Sequence, residues 1–131
     1  MPDFTALTAT DYNGGGTPLN HPFVPVRLDG EKAFYANRNG GIPIGFERLS
    51  VNVREAKSAT GAHVVEFELS IPVIALVDGK YVKVRESKSS HRFNFPQDGE
   101  PNERMDHLYI VKSLFGLADV EAVVEEIEGL Y

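Results

Sequence analysis

Between Ile44 and Pro96 the apolar residues alternate with polar ones. Leu49, Val51 and Val53 share one face of a strand predicted from about Ile44 to Glu55; Arg48, Ser50, Asn52 and Arg54 share the other. A second strand is predicted from His63 to about Ile74, with Val65, Phe67, Leu69 and Ile71 opposite Glu66, Glu68 and Ser70. A third runs from about Tyr81 to Pro96, where Phe93 and Phe95 alternate with Arg92 and Asn94. The segment Lys57 to Ala62 makes one turn. Asp78-Gly79 makes the next, flanked by an apolar loop from Val73 to Val77. The result is an antiparallel meander with one greasy face and one polar face. Upstream, Glu31 to Asn37 reads as another strand, ended by Asn39-Gly40-Gly41. Asn13-Gly14-Gly15-Gly16 separates Phe4 to Tyr12 from Thr17 to His21, an N-terminal hairpin. Pro18, Pro22 and Pro25 predict an irregular extended stretch after it.

Beyond Pro96 the apolar spacing becomes helical. Pro101 suits a first helical turn, Glu100 and Glu103 suit the N-terminal dipole, and the helix is expected to stop at Gly116 after Phe115. Asp119 is the expected cap of a second helix, with Val120, Val123, Val124 and Ile127 on one face. The fold class is therefore α+β: an N-terminal β-hairpin, an antiparallel five-stranded meander sheet and two C-terminal helices. Residues 1–131 form a single domain, divided into hairpin and extended segment (1–25), sheet (31–96) and helices (100–130).

The first helix is apolar around more than one stripe. Leu108, Tyr109, Ile110, Val111, Leu114 and Phe115 cannot all face one flat sheet. They are either wedged between sheet and second helix within one subunit or laid across a neighbouring subunit. A sheet of five strands is about 24 Å wide, and only two helices are available to cover it. This favours an obligate, interlocked homodimer. Its candidate interface is Leu108, Val111, Leu114 and Phe115 of the first helix with Val120, Val123, Val124 and Ile127 of the second.

Charge sharpens the picture. Residues 97–131 hold a balance of −7 and residues 1–96 a balance of +1, within a net charge of −6. A mildly basic sheet with acidic helices is a two-faced object that can offer one side to a polyanion. The absence of cysteine excludes disulfides and thiolate metal sites. No apolar run approaches the roughly 18 residues of a membrane span. Met1-Pro2-Asp3-Phe4 lacks the basic and apolar regions of a signal peptide, so a soluble chain made in the cytoplasm is expected, with no membrane partner.

The element order and several segments resemble the coat proteins of single-stranded RNA bacteriophages, the leviviruses. The likeness is clearest in Arg48-Leu49-Ser50-Val51-Asn52-Val53-Arg54, in Val65-Glu66-Phe67-Glu68-Leu69-Ser70-Ile71-Pro72 and in Arg92-Phe93-Asn94-Phe95-Pro96. It continues in Tyr109-Ile110-Val111-Lys112-Ser113-Leu114 and the terminal Gly129-Leu130-Tyr131. The resemblance implies an intertwined dimer with a continuous ten-stranded sheet. Dimers would assemble in the bacterial host cytoplasm into an icosahedral shell, the virion capsid, around single-stranded viral RNA. The sheet's polar face would look inward, and in many members it also grips an RNA hairpin that represses translation.

Carried over residue by residue, the RNA-contacting positions are Arg48, Ser50, Asn52 and Arg54, with Lys88, Ser90 and Arg92 from the last strand. Arginine and lysine there neutralise phosphate; serine and asparagine reach bases or riboses. Glu66 and Glu68 depart from the family, which often places a hydroxyl and a lysine there. Either Arg48, Arg54 and Arg92 pair with them, or hairpin binding is weak or differently centred. Val77, Asp78, Gly79 and Lys80 fall in the loop that lines contacts between dimers, without the proline some members carry.

Other chemistry is sparse. Glu103 and His107 are spaced i, i+4, but no third metal ligand is near in sequence. Ser90 and His91 alternate to opposite faces of a strand, which defeats a nucleophile–base pair. Asn13 to Gly16 lacks the helix and lysine of a phosphate loop. No cofactor, metal or catalytic residue is expected. The alternative to a shell subunit is a small dimeric RNA- or protein-binding module.

Overall fold

A computed structural model describes residues 5–58 and 61–127. Six strands form one antiparallel sheet in chain order: β1 (Leu7–Thr10), β2 (Asn20–Asp29), β3 (Lys32–Asn37), β4 (Glu47–Arg54), β5 (Ala62–Val77) and β6 (Lys80–Pro96). Two helices follow, α1 (Pro101–Phe115) and α2 (Ala118–Glu126). The expected α+β meander with two C-terminal helices is present, and the N-terminal hairpin is fused to it through β2. Phe4 and Gly129-Leu130-Tyr131 lie outside the described residues.

Four local expectations change. The proline-rich stretch is strand, not irregular chain: β2 runs through Pro22 and Pro25. A bulge between Pro25 and Arg27 shifts the register there. Proline lacks a ladder donor and is tolerated at such irregular points. The apolar loop from Val73 is also strand. Pairing of β5 with β6 continues to Val77 opposite Lys80, closed by the two-residue turn Asp78-Gly79. Both turn residues have positive φ, 51° and 78°, the backbone that matches the twist of a tight hairpin. One irregularity interrupts this arm: Val73 faces Arg85 and Ile74 faces Lys83, which leaves Val84 without an opposite number. Finally, Leu117 rather than Asp119 occupies the N-cap of α2, and Asp119 sits inside the first turn. The helix ends at Glu126. Ile127 turns left-handed at φ 57°, so it leaves the helical face on which the 3.6 period had placed it.

The buried core is thin. Among the described residues its apolar members are Phe23, Tyr35, Ala36 and Val64, all on strands. Neither helix buries a side chain. α1 meets the sheet through a stripe of aromatic contacts. His107 meets Phe93 and Phe95 edge-on, with ring centroids 5.6 Å from each, and Phe115 meets His91 at 6.0 Å. Beside that stripe a cleft of about 610 Å³ opens onto the greasy face, lined by Val65, Phe67, Met105 and Leu108 among others.

Candidate nucleic-acid interface

Cross-strand pairing builds the polar face in rows. β4, β5 and β6 align Arg48 with Ser70 and Lys88, Ser50 with Glu68 and Ser90, and Asn52 with Glu66 and Arg92. Arg54 begins a fourth row with Val64 and Asn94. Directly opposed residues of an antiparallel pair project to the same side. The sheet therefore gathers all seven candidate positions, Arg48, Ser50, Asn52, Arg54, Lys88, Ser90 and Arg92, onto one face. β3 extends the rows with Ala36, Phe34 and Lys32, and β2 adds Arg27 opposite Phe34 and Asp29 opposite Lys32.

Sequence reasoning missed Arg27, Lys32 and Phe34. The short strand around Phe34 and Tyr35 is apolar on both sides, so its alternation carries no signal about which face is wet. The Arg27 guanidinium lies 4.3 Å from the centre of the Phe34 ring, and the Lys32 ammonium 5.4 Å from it. The face carries Arg27, Lys32, Arg48, Arg54, Lys83, Lys88 and Arg92 against Asp29, Glu66, Glu68 and Glu86, an excess of three positive charges.

The carboxylates on β5 and β6 differ in how they are held. Glu66 lies between two guanidiniums, 3.4 Å from Arg54 and 3.5 Å from Arg92. Glu86 accepts from Lys83 and, at 2.6 Å, from the Ser70 hydroxyl, with the Lys88 ammonium at 3.5 Å. The Lys83 ammonium first, then the Ser70 hydroxyl, pull its carboxyl down to about 2. Among the described residues Glu68 has only Lys32, at 4.0 Å, and its side chain is 56% exposed against 24% for Glu66. Of the two outcomes foreseen for the acids, pairing holds for Glu66 through Arg54 and Arg92. Arg48 does not join in, and donates instead to the Pro43 carbonyl at 3.2 Å. The centre of the face is a concavity of about 590 Å³, bounded by Arg27, Lys32, Phe34, Ser50, Glu68 and Ser90 among others.

The remaining predicted positions fall elsewhere. Val77, Asp78, Gly79 and Lys80 form the tip of the β5–β6 arm, a tight turn rather than an open loop. Leu108, Val111, Val120 and Val123 are half-buried, whereas Leu114, Phe115, Val124 and Ile127 are exposed on the single chain. Among the described residues no group of three candidate ligands is placed to hold a metal.

One cluster had no signal in the sequence. His21 places Nε2 2.7 Å from Asp11 Oδ2 and Nδ1 2.6 Å from Glu47 Oε1. Asn37 donates to the same Glu47 oxygen at 2.7 Å, and the Leu19 N–H donates to Asp11 at 2.9 Å. Hydrogen bonds to Asp11 and then Glu47 raise the His21 pKa, and the His21 bond lowers that of Asp11. The His21 ring thereby ties the N-terminal hairpin to the start of β4.

A family model described as levivirus coat protein matches residues 2–131. The chain belongs to the levivirus coat protein family. It is a structural protein that forms a viral shell. Among solved structures, the virus-like particle of Beihai levi-like virus 21 superimposes with a TM-score of 0.88 at 24% identity, covering 99% of both chains. The virus-like particle of bacteriophage ESE058 gives 0.86 at 19% identity over 99% of this chain and 100% of that one. The bacteriophage GA capsid protein gives 0.74 at 19% identity over 98% of each. No curated protein matches the sequence. At these identities the superpositions speak for the fold of the coat protein. Among its described residues no helix is long and apolar enough to cross a membrane.

Proposed function

We propose that this coat protein acts as an interlocked homodimer whose polar sheet face lies against single-stranded viral RNA inside an icosahedral virion capsid. The observation that carries the dimer is the pair of helices without a buried side chain, attached to a sheet that ends in a long edge strand. β6 has 17 residues, and among the described residues β5 is its only strand partner. An edge of that length is a template for a second chain. Joining two copies along β6 makes ten strands from β2 to β6 of each, with β1 fringing either end. Each copy's helices then cross the partner's greasy face and cover Met105, Ile110, Leu114 and Phe115, which are exposed on the single chain.

The opposite face stays free. Its basic excess and its hydroxyl and amide rows suit phosphate neutralisation with sugar and base contacts. The acidic helices, carrying most of the −7 of residues 97–131, point away from the polyanion. The same face is the place for a repressor hairpin.

Electron microscopy of the purified protein under assembly conditions is expected to show closed shells. A population of dimers alone would return the chain to a small binding module. Arg54→Ala is expected to weaken RNA binding and flatten its salt dependence by a slope of about 0.7, one phosphate contact on a single strand. Arg92 remains to hold Glu66 in that variant. An unchanged slope removes Arg54 from the interface.

A further inference from the structure

Glu68 sits in the middle of a surface meant for a polyanion, yet it is the least neutralised of the carboxylates on β5 and β6. Glu66 is spoken for by two guanidiniums and Glu86 by a hydroxyl and two ammoniums. Glu68 keeps a single ammonium at 4.0 Å and an exposed carboxylate whose acceptor sites face the concavity. A carboxylate there repels phosphate. What it attracts is an uncharged hydrogen-bond donor.

The row around Glu68 has the shape of a slot. Phe34, Ser50, Glu68 and Ser90 stand opposite one another on β3, β4, β5 and β6. Ser50 is the buried polar residue of the floor. Phe34, with the Arg27 guanidinium against its ring, makes one wall, and Glu68 makes the other. The walls are two strand spacings apart, about 9.6 Å; the Lys32 ammonium reaches between them, 5.4 Å from the Phe34 ring and 4.0 Å from Glu68, and a planar heterocycle above Ser50 displaces it. Lys88, Arg92 and Arg48 flank the slot, placed to hold the attached phosphates.

Among the four bases, guanine alone presents two donors on adjacent atoms of its Watson–Crick edge, N1–H and N2–H₂. A carboxylate accepts both at once, as it does the fork of an arginine. Adenine and cytosine set a ring-nitrogen lone pair beside their amino group, and uracil flanks its single N–H with carbonyls. Each of these turns an acceptor toward the second oxygen of Glu68. We infer that the polar-face concavity is a subsite for one unpaired guanine, read by Glu68 over Ser50 against the Phe34–Arg27 wall. This rests on the RNA-facing reading above and gives that face a base preference.

The test is fluorescence anisotropy of the unassembled full-length protein. The probes are a short single-stranded oligouridylate and versions of it with one central guanine, adenine, cytosine or hypoxanthine. Guanine is expected to bind tighter than adenine or cytosine by roughly 5- to 150-fold, the discrimination of a good bidentate contact. Hypoxanthine, which lacks the N2 amino group, is expected to fall between. Glu68→Gln is expected to bring the ratio close to one while binding plain oligouridylate no more weakly than the parent. Circular dichroism would check that the variant keeps its fold. Equal, salt-dependent affinity for all the central bases would overturn the guanine subsite and leave the RNA-facing reading standing, as would a guanine preference that survives Glu68→Gln. Failure of every oligonucleotide to bind, or binding that ignores salt, would overturn the RNA-facing reading itself.

Discussion

Phe115→Ala is the sharpest test of whether the helices need a second copy. Phe115 is 55% exposed on the single chain, and among the described residues its one ring contact is the edge of His91. Fully burying a phenylalanine gives about 1.5–3 kcal/mol. The part still in water therefore holds about 0.8–1.6 kcal/mol for a partner to recover. A symmetric dimer recovers it twice, so the variant loses about 1.6–3.3 kcal/mol per dimer, roughly 15- to 250-fold in dissociation constant. Any cavity left at the junction adds to this loss. The assay is equilibrium urea unfolding at several protein concentrations. For a dimer that folds as it pairs, the midpoint rises with concentration. The variant should show the same dependence displaced to lower urea. A midpoint independent of concentration, unmoved by the substitution, would show that α1 is self-sufficient and the interlocking argument wrong.

The His21 cluster makes stability depend on pH. The folded pKa is raised above the ordinary 6.5, so the contribution is complete below that value and is lost as pH rises through the folded pKa. The Asp11 pKa is lowered from 3.8, so its share is present above that value and fades as pH falls through the folded pKa. Urea midpoints should fall from pH 5.5 to about 8.5 in the parent, and His21→Gln should flatten that slope; an equal slope in both would clear His21 of the role. Gly45→Ala would bring a Cβ within 2.8 Å of Ile74 Cδ1. It should cost about 1–3 kcal/mol as an overpacked contact, and adding Ile74→Val, which removes that carbon, should restore much of it in thermal melts. A double variant no better than the single one would place the strain elsewhere.

Legibility followed the physics of each segment. β4, β5 and the end of β6 were readable because each has one wet and one dry face, and period-two alternation records that difference. Seven polar-face positions were accordingly brought together by the pairing. β2 was obscured by Pro22 and Pro25, which look like breakers until the bulge beside Pro25 shows how the ladder accommodates them. Arg27 and Phe34 were hidden for a related reason: a bulged strand and a strand apolar on both sides do not advertise an orientation. The His21 cluster joins residues 10 and 26 positions away from the histidine, which no local pattern encodes. Ile127 shows the converse error. A hydrophobic residue in perfect helical phase still needs the helix to continue, and this one turns away after Glu126.

Val84 is a single extra residue in one strand of a long hairpin, and everything beyond it inherits the offset. Past that point Lys83 and Tyr81 share a side with Ile74 and Leu76, while Val82 and Lys80 share the other with Ala75 and Val77. Were Val84 paired in a regular ladder opposite Ile74, Lys83 would fall opposite Ala75 and Val82 opposite Leu76, exchanging lysine for valine across the tip. Which side chains the tip turns to each side is thus a matter of counting rather than of composition. The same residues in an unbulged arm would turn the tip's back outward.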